Sequence, residues 1–507
     1  MAIIDKKKKL VQREKHKIKR EQLEALDEIL KRQVIIKRGM SMMYVSTDEN
    51  KGFMTRGKHS EQVAEIGGYL ASLLGGDEAK TKRIGIAHDF GHSVLAHNGE
   101  TGIGRFLASP DVFSVEENVP IKDFFDHSKH GGKILEITCA RLGIEIPDYL
   151  LNGIESHSSG SNSKGAIKCE SFEAECIMRA DKIASSISDT QDMLKAGVFD
   201  LSDKSLKEVF DKNEEVRQTI ETRAFSDYRQ DKKEFDIMLE SIIRQGGKRA
   251  EELRKINDNP QRGNAERVYK IFDEVRAEQI DRQIEIIKEF IKLEPKEQRE
   301  RMINLIVDGV KRKGVKVNVT PMNDYSKTFP EGQLFITHDA ECILAGLRGL
   351  LISCENRRVL GEMGCELDGL VETCARYVYT NQKDFEYSWP FKNWKKDKNG
   401  EKIEWKDQVA YGIAQMTDRQ FKDFCEKLLL REDAREAFKN CKYRDPRDTA
   451  YLKKHKGEKL PFSTYDFSTK DSIEGAFKID LNRTYQEPMY IQMAKNKSDR
   501  KMSEPER

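Results

Sequence analysis

One short stretch of this chain holds most of the side chains able to do chemistry. Residues 86–100 read I-A-H-D-F-G-H-S-V-L-A-H-N-G-E and bring together His88, Asp89, His92, His97 and Glu100. Of the ten histidines in the chain, His59, His88, His92, His97, His127, His130 and His157 fall in one window. An imidazole buried without a partner costs more than it gains, so such crowding makes poor core material. Neutral imidazole beside carboxylate suits a divalent ion such as Mn, Fe, Co, Ni or Zn, with Mg admitted by the carboxylates. Two blander readings compete with a metal site: unrelated surface histidines, or a hydrogen-bonded core cluster.

The elements that must position these groups read as helices. His59 stands one turn before Val63, Ile66, Leu70 and Leu73, an apolar face at helical spacing that ends at Gly75-Gly76. Asp77 can cap the next helix, which carries Ile84, Ala87 and His88. His88 and His92, four apart, share a face if that helix persists through Gly91. His127 lies near the start of a further helix. Residues 171–196 form the clearest helix, with Cys176, Ile177, Ala180, Ile183, Ala184, Ile187 and Leu194 as its stripe and Gly197 as its stop. Asp181, Ser185 and Asp189 follow one another at steps of four on that helix. A carboxylate at Asp181, on the edge of the stripe, is either salt-bridged or metal-bound.

Farther along, residues 205–312 read as long charged helices and 315–319 alternate like a short strand. Asn399-Gly400 is a hairpin signal. A-Y-G-I-A-Q-M-T-D-R-Q-F opens a helix running to about residue 439. The polar stretch beyond should be irregular, with 495–507 disordered. The expected organisation is a charged N-terminal helix (1–36), a core (37–204), a charged helical region (205–330), a C-terminal helical region (331–440) and a polar tail (441–507).

Composition narrows the class. Lys plus Arg number 89 against 87 Asp plus Glu, so no overall field draws the chain to nucleic acid or an anionic membrane. The lysine run at the N-terminus reads as a solvated face. Hydrophobic content of 37% with 35% charged residues fits long amphipathic helices with wet outer faces. The nine cysteines form no C-x-x-C pair and read as reduced thiols, which points to the cytoplasm. There is no signal-peptide core at the N-terminus and no apolar run of membrane-spanning length.

The order His59, His88-Asp89, Asp181 resembles the H…HD…D pattern of the HD phosphohydrolase superfamily. The neighbouring T-R-G-K-H-S, F-F-D-H-S-K-H-G-G-K-I-L, G-I-E-S-H-S, E-C-I-M-R-A-D-K-I-A and the late Y-G-I-A-Q-M-T-D-R are similar to bacterial dGTPase-type deoxynucleotide triphosphohydrolases. The resemblance is close over 35–200 and returns near 410–420. It implies an all-α HD fold around a divalent metal, to which the residue patterns add long helices and a small β-hairpin in the C-terminal half. It also implies hydrolysis of a dNTP to deoxynucleoside and inorganic triphosphate.

Carried over position by position, the resemblance makes His59, His88, Asp89 and Asp181 the metal ligands and His97 with Glu100 the catalytic pair. Arg56, His92, His127 and Lys182 would contact phosphates, and Asp189 the 3′-hydroxyl. This chain departs from its relatives at Ser185, where they carry a tyrosine. Tyr44, in the segment where they carry a glutamine, is expected to fill space near the sugar. The resemblance further implies a homo-oligomer, with a dNTP or single-stranded nucleic acid as an effector. Two other functions remain open on sequence alone: another HD phosphohydrolase, acting on a phosphodiester, monophosphate or alarmone, and a non-catalytic nucleotide-sensing assembly module.

Overall fold

The computed structural model describes residues 20–42, 52–111, 124–158, 167, 169–225, 251, 265–312, 338–353, 357–444, 448, 451–452, 454–455, 458, 460–478, 489–493 and 495. Tyr44, the lysine-rich start, the 315–319 strand and 496–507 lie outside them.

The described chain is all-α apart from one short antiparallel ladder, β1 (Cys441–Tyr443) against β2 (Ser463–Tyr465). α1 (Arg20–Lys37) leads into α2 (Arg56–Leu74), which Thr55 caps by accepting from the Lys58 amide. Gly75 ends α2 in the left-handed conformation at φ 86, and Asp77 caps α3 (Glu78–Ala87). α4 (Ala96–Ala108), α5 (His127–Ala140), α6 (Asp148–Ser156) and α7 (Phe172–Ala196) follow. Ser171 caps α7, and Gly197 stops it at φ 76.

The later helices are α8 (Asp203–Phe210), α9 (Glu214–Phe225), α10 (Ala265–Lys292), α11 (Pro295–Arg312), α12 (His338–Ser353) and α13 (Arg357–Thr380). α14 (Gln382–Phe385), α15 (Trp405–Ala414), α16 (Asp418–Leu428), α17 (Glu432–Lys439) and α18 (Lys470–Ala476) complete the set. The single helix expected from residue 410 to about 439 is three. Thr417 and Gln420 form a capping box that starts α16 anew and so breaks the run. At Asn399-Gly400 the chain does reverse, with Lys396 bridged to Lys402 and Gly400 at φ 82.

Buried apolar side chains gather into two clusters that do not follow chain order. One joins α2, α3, α6 and α7 with α10, α11 and α12; the other joins α4 with α13, α15, α16 and α18. Phe467, Ile473 and Phe477 are buried in the second, so this part of the polar tail is folded onto the body. Residues 86–100 cross from one cluster to the other: Ala87 and Phe90 belong to the first, Val94 and Leu95 to the second. The histidine-rich stretch therefore lies in the seam.

The helix carrying His88 ends at Ala87 rather than running through Gly91. Residues 88–91 form a turn instead, held by the Phe90 amide on Ala87 O at 2.9 Å and the His92 amide on Asp89 O at 3.0 Å. The turn is pressed against the start of α5. A Cβ on Gly91 would stand 2.0 Å from His127 O and 2.4 Å from the Gly131 amide nitrogen. Gly91→Ala must push α5 outward, and overpacking of this kind costs about 1–3 kcal/mol. The expected result is a lower urea midpoint, because α5 must shift from the turn. A midpoint equal to wild type would show that the turn can yield.

Candidate active site

His59 (α2), His88 and Asp89 (the turn after α3) and Asp181 (α7) meet in the first cluster, where both histidines and Asp89 are buried. His59 Nε2 lies 2.9 Å from Asp181 Oδ1, and His88 Nε2 lies 3.2 Å from Asp89 Oδ1 and 3.7 Å from Asp181 Oδ1. The His88 ring is oriented from behind: its Nδ1–H donates to Gly85 O at 2.7 Å. In the neutral ring this leaves the Nε2 lone pair facing two carboxylates, and Nε2 has no hydrogen-bond partner among the described residues. Such an arrangement needs a cation between the groups, so the donor set fits a divalent metal. Burial disfavours charge on His88, but Asp89 and Asp181 outweigh it and raise the pKa to about 8. Burial likewise opposes ionisation of Asp89, yet His88, His92 and Arg56 hold its pKa well below the usual range.

Beside this cluster stands a second, organised by Glu100 on α4. Its Oε1 is 2.6 Å from His92 Nδ1 and 3.4 Å from His97 Nδ1, and its Oε2 accepts from His127 Nδ1–H at 3.1 Å. The rings of His92 and His127 stack at 3.8 Å. His97 differs from both, with its side chain 70% exposed. Burial opposes charge on Glu100, but His127 and His92 prevail and keep its pKa well below normal. The structure therefore groups all the expected residues of the central stretch, and gives Glu100 three imidazoles where the spacing indicated one.

The other expected residues surround these clusters. Arg56 is buried and donates to Asp89 Oδ2 at 3.0 Å. Lys182 on α7 has its pKa lowered by burial and by Arg179. Asp189 is raised to about 7 by burial and by Asp192, and its Oδ1 is buried without a hydrogen-bond partner among the described residues. Ser185 donates to Asp181 O at 2.8 Å, its own helix backbone.

Three residues without an assigned role in the sequence reading join the site, two of them, His157 and Asp418, from within the quoted motifs. His157, just after α6, is buried beside Asp89, its Nε2 3.7 Å from Asp89 Oδ1. Lys37, at the end of α1, is buried and donates to His92 O at 3.0 Å, and burial drives its pKa down to about 7. Asp418, the first residue of α16, accepts from the Leu95 amide at 2.9 Å, from the Ser41 amide at 2.8 Å and from the Ser41 hydroxyl. No periodicity signals these contacts; the late T-D-R motif was the one visible trace of Asp418.

Lys37 and Asp418 hold a strained turn. Leu95 and Ala96 take φ of 58 and 54, a region that costs a residue with a Cβ about 1–3 kcal/mol. That turn launches α4 and so aims His97 and Glu100. Asp418→Ala abandons buried donors, each worth about 1–3 kcal/mol when unpaired. A lower urea midpoint is expected, partly restored by adding Ala96→Gly, which removes one positive-φ penalty. An unchanged midpoint in Asp418→Ala would show that the turn holds itself.

Residues 56–186 match the HD domain family and contain all four expected metal ligands. Over 168 residues the chain is 29% identical to a deoxyguanosinetriphosphate triphosphohydrolase-like protein of Clostridium tetani, covering 32% of this chain and 44% of that one. Over 167 residues it is 32% identical to a protein of the same name from Bradyrhizobium sp., covering 32% and 42%. A third of that name, from Geobacter metallireducens, is 29% identical over 30% of this chain and 40% of its own length. The chain thus spans less than half the length of these relatives. Residues 56–186 thus match the HD domain family, and over about a third of its length the chain is similar to the deoxyguanosinetriphosphate triphosphohydrolase-like proteins.

Proposed function

We propose that this protein is a metal-dependent hydrolase of deoxynucleoside triphosphates, of the dGTP type, releasing deoxynucleoside and inorganic triphosphate. One observation carries the reading: the buried His59, His88 and Asp89, with Asp181 Oδ1 2.9 Å from His59 Nε2, stand beside the histidine group around Glu100, both within residues 56–186. The names of the relatives supply the substrate class.

His59, His88, Asp89 and Asp181 would hold the ion. When bound, a divalent ion supplies Lewis-acid stabilisation of phosphoryl charge and lowers the pKa of water. The remaining work falls to the chain's own groups. Arg56, Lys182, His92 and His127 offset the charge of the triphosphate. His97, oriented by Glu100, reaches solvent and can give a proton to the leaving 5′-oxygen. Asp189 offers an unsatisfied buried oxygen to the 3′-hydroxyl. Tyr44 would crowd C2′ where Ser185 leaves room. The reading carries with it a cytoplasmic homo-oligomer with a dNTP or single-stranded nucleic acid as effector. No helix among the described residues is long and apolar enough to cross a membrane.

The test is release of inorganic triphosphate by purified protein with Mn²⁺ and each dNTP, followed by kcat/KM for dGTP against GTP. A preference for dGTP is expected, reduced in Tyr44→Ala. Rejection of an added hydroxyl through apolar contact alone reaches roughly 10²-fold at best. Equal rates on dGTP and GTP in the wild type would overturn the deoxynucleotide reading and favour a broader phosphohydrolase.

A further inference from the structure

His59 on α2 and Asp181 on α7 face each other across the proposed metal centre, with His59 Nε2 2.9 Å from Asp181 Oδ1. The two ligand histidines are supported differently. The His88 ring is held from behind by Gly85 O, whereas His59 Nδ1 is buried with no hydrogen-bond partner among the described residues. A ligand histidine is usually fixed by a bond to its other ring nitrogen. Without one, the ring keeps its place only as well as its backbone does. His59 therefore depends on how firmly the start of α2 is held.

That start is tied to α7 by Asp192, about three helical turns beyond Asp181 and on the same polar face as Ser185 and Asp189. The Asp192 side chain is 1% exposed, and its two oxygens accept from the Met54 amide at 3.1 and 3.0 Å. Lys195, on the next turn, donates from Nζ to Gly52 O at 2.7 Å and lies 3.8 Å from Asp192 Oδ1. One side chain thus holds an amide and the other a carbonyl of residues 52–54. Met54 directly precedes Thr55, the cap of α2, and Thr55 O accepts from the His59 amide at 2.8 Å. The same segment bonds to residues 40–42, through the Met42 amide on Met54 O at 3.4 Å and the Arg56 amide on Met40 O at 2.9 Å. Burial raises the Asp192 pKa to about 6, against the Met54 amide and Lys195, so the clamp is charged at pH 8.

We propose that Asp192, assisted by Lys195, is a positioning residue of the metal centre: it fixes the first turn of α2 on α7 and so sets His59 against Asp181. It touches neither ion nor substrate. Arg56, on the same first turn, is aimed at Asp89 by the same tie. The inference rests on the His59–His88–Asp89–Asp181 cluster being a metal centre. Removing the outer support of a ligand costs roughly 10–100-fold in metal affinity or activity, which sets the scale of the effect.

The experiment is Mn²⁺ titration of chelator-stripped full-length protein at pH 8, with free ion read by electron paramagnetic resonance, beside urea unfolding of each variant. Asp192→Ala is expected to weaken Mn²⁺ binding roughly 10–100-fold. Asp192→Asn keeps an acceptor for the Met54 amide and should restore binding close to wild type. Lys195→Met, at a side chain 47% exposed, should weaken binding in the same direction by less, without a folding defect. Wild-type affinity in Asp192→Ala would overturn the positioning role even with a lower urea midpoint, because a residue that only stabilises the fold behaves that way. Equal losses in Asp192→Asn and Asp192→Ala would overturn it too, since charge and not the clamp would then set the affinity. Should Asp192→Ala not fold, wild-type affinity in Lys195→Met overturns the clamp and a loss supports it. Binding of no ion by the wild type would instead overturn the metal centre, and this inference with it.

Discussion

Asp89→Asn is expected to abolish divalent-metal binding and hydrolysis together. Asp89 Oδ1 sits 3.2 Å from His88 Nε2, and Oδ2 takes the Arg56 guanidinium at 3.0 Å. The asparagine keeps the volume but removes the charge that balances Arg56 and the surrounding imidazoles. An uncompensated buried cation is left, and breaking a buried pair in this way costs about 3–5 kcal/mol. The effect on kcat should exceed the roughly 10²–10³-fold loss typical of deleting one electrostatic contact to a transition state. Elemental analysis of the purified variant decides the matter. Wild-type metal content in Asp89→Asn would remove Asp89 from the ligand set, whatever the activity.

Glu100→Gln carries the second large effect. Oε2 accepts from His127 Nδ1–H, and Oε1 stands 2.6 Å from His92 Nδ1 and 3.4 Å from His97 Nδ1, so the carboxylate offers acceptors alone to all three. A glutamine turns one of its two ends into an NH₂ donor. That end faces either His127 or the His92 and His97 side, where the carboxylate presented only an acceptor. Loss of an oriented general acid costs on the order of 10²–10⁴ in kcat. His97→Ala should show a loss of that order with metal content intact, since the exposed ring contributes little to the fold. Measured side by side, the two variants locate the proton donor. A His97→Ala enzyme turning over normally while Glu100→Gln is inactive would transfer the role to His92 or His127.

The parts of this protein legible in its sequence are those decided within about one helical turn. Thr55, Asp77 and Ser171 cap their helices through their own side chains, and Gly75 and Gly197 end theirs with positive φ. The α7 stripe is buried as its spacing requires, from Cys176 to Ile187. Helix periodicity also places Asp181 on the inner edge of α7. Spacing alone was misleading at Gly91, where close approach of α5 ends the helix that periodicity would have continued. Averaged polarity hid the buried Phe467, Ile473 and Phe477, because a few apolar anchors suffice to dock a charged segment.

What the sequence by itself determined is the chemical inventory: which imidazoles and carboxylates are available, and the helices on which most of them ride. Which groups meet was decided by tertiary structure. His59 finds Asp181, 122 residues away, only when α2 packs on α7. Lys37 and Asp418, far apart in sequence, both reach residues 92–95, and His157 reaches Asp89 from the end of α6. Glu100 stands three residues from His97 in sequence yet lies nearer to His92 and His127. The physical reason is that helix periodicity sets only the direction of a side chain about its own axis. Its partner is set by the packing of one helix against another, and here by the seam between two buried clusters.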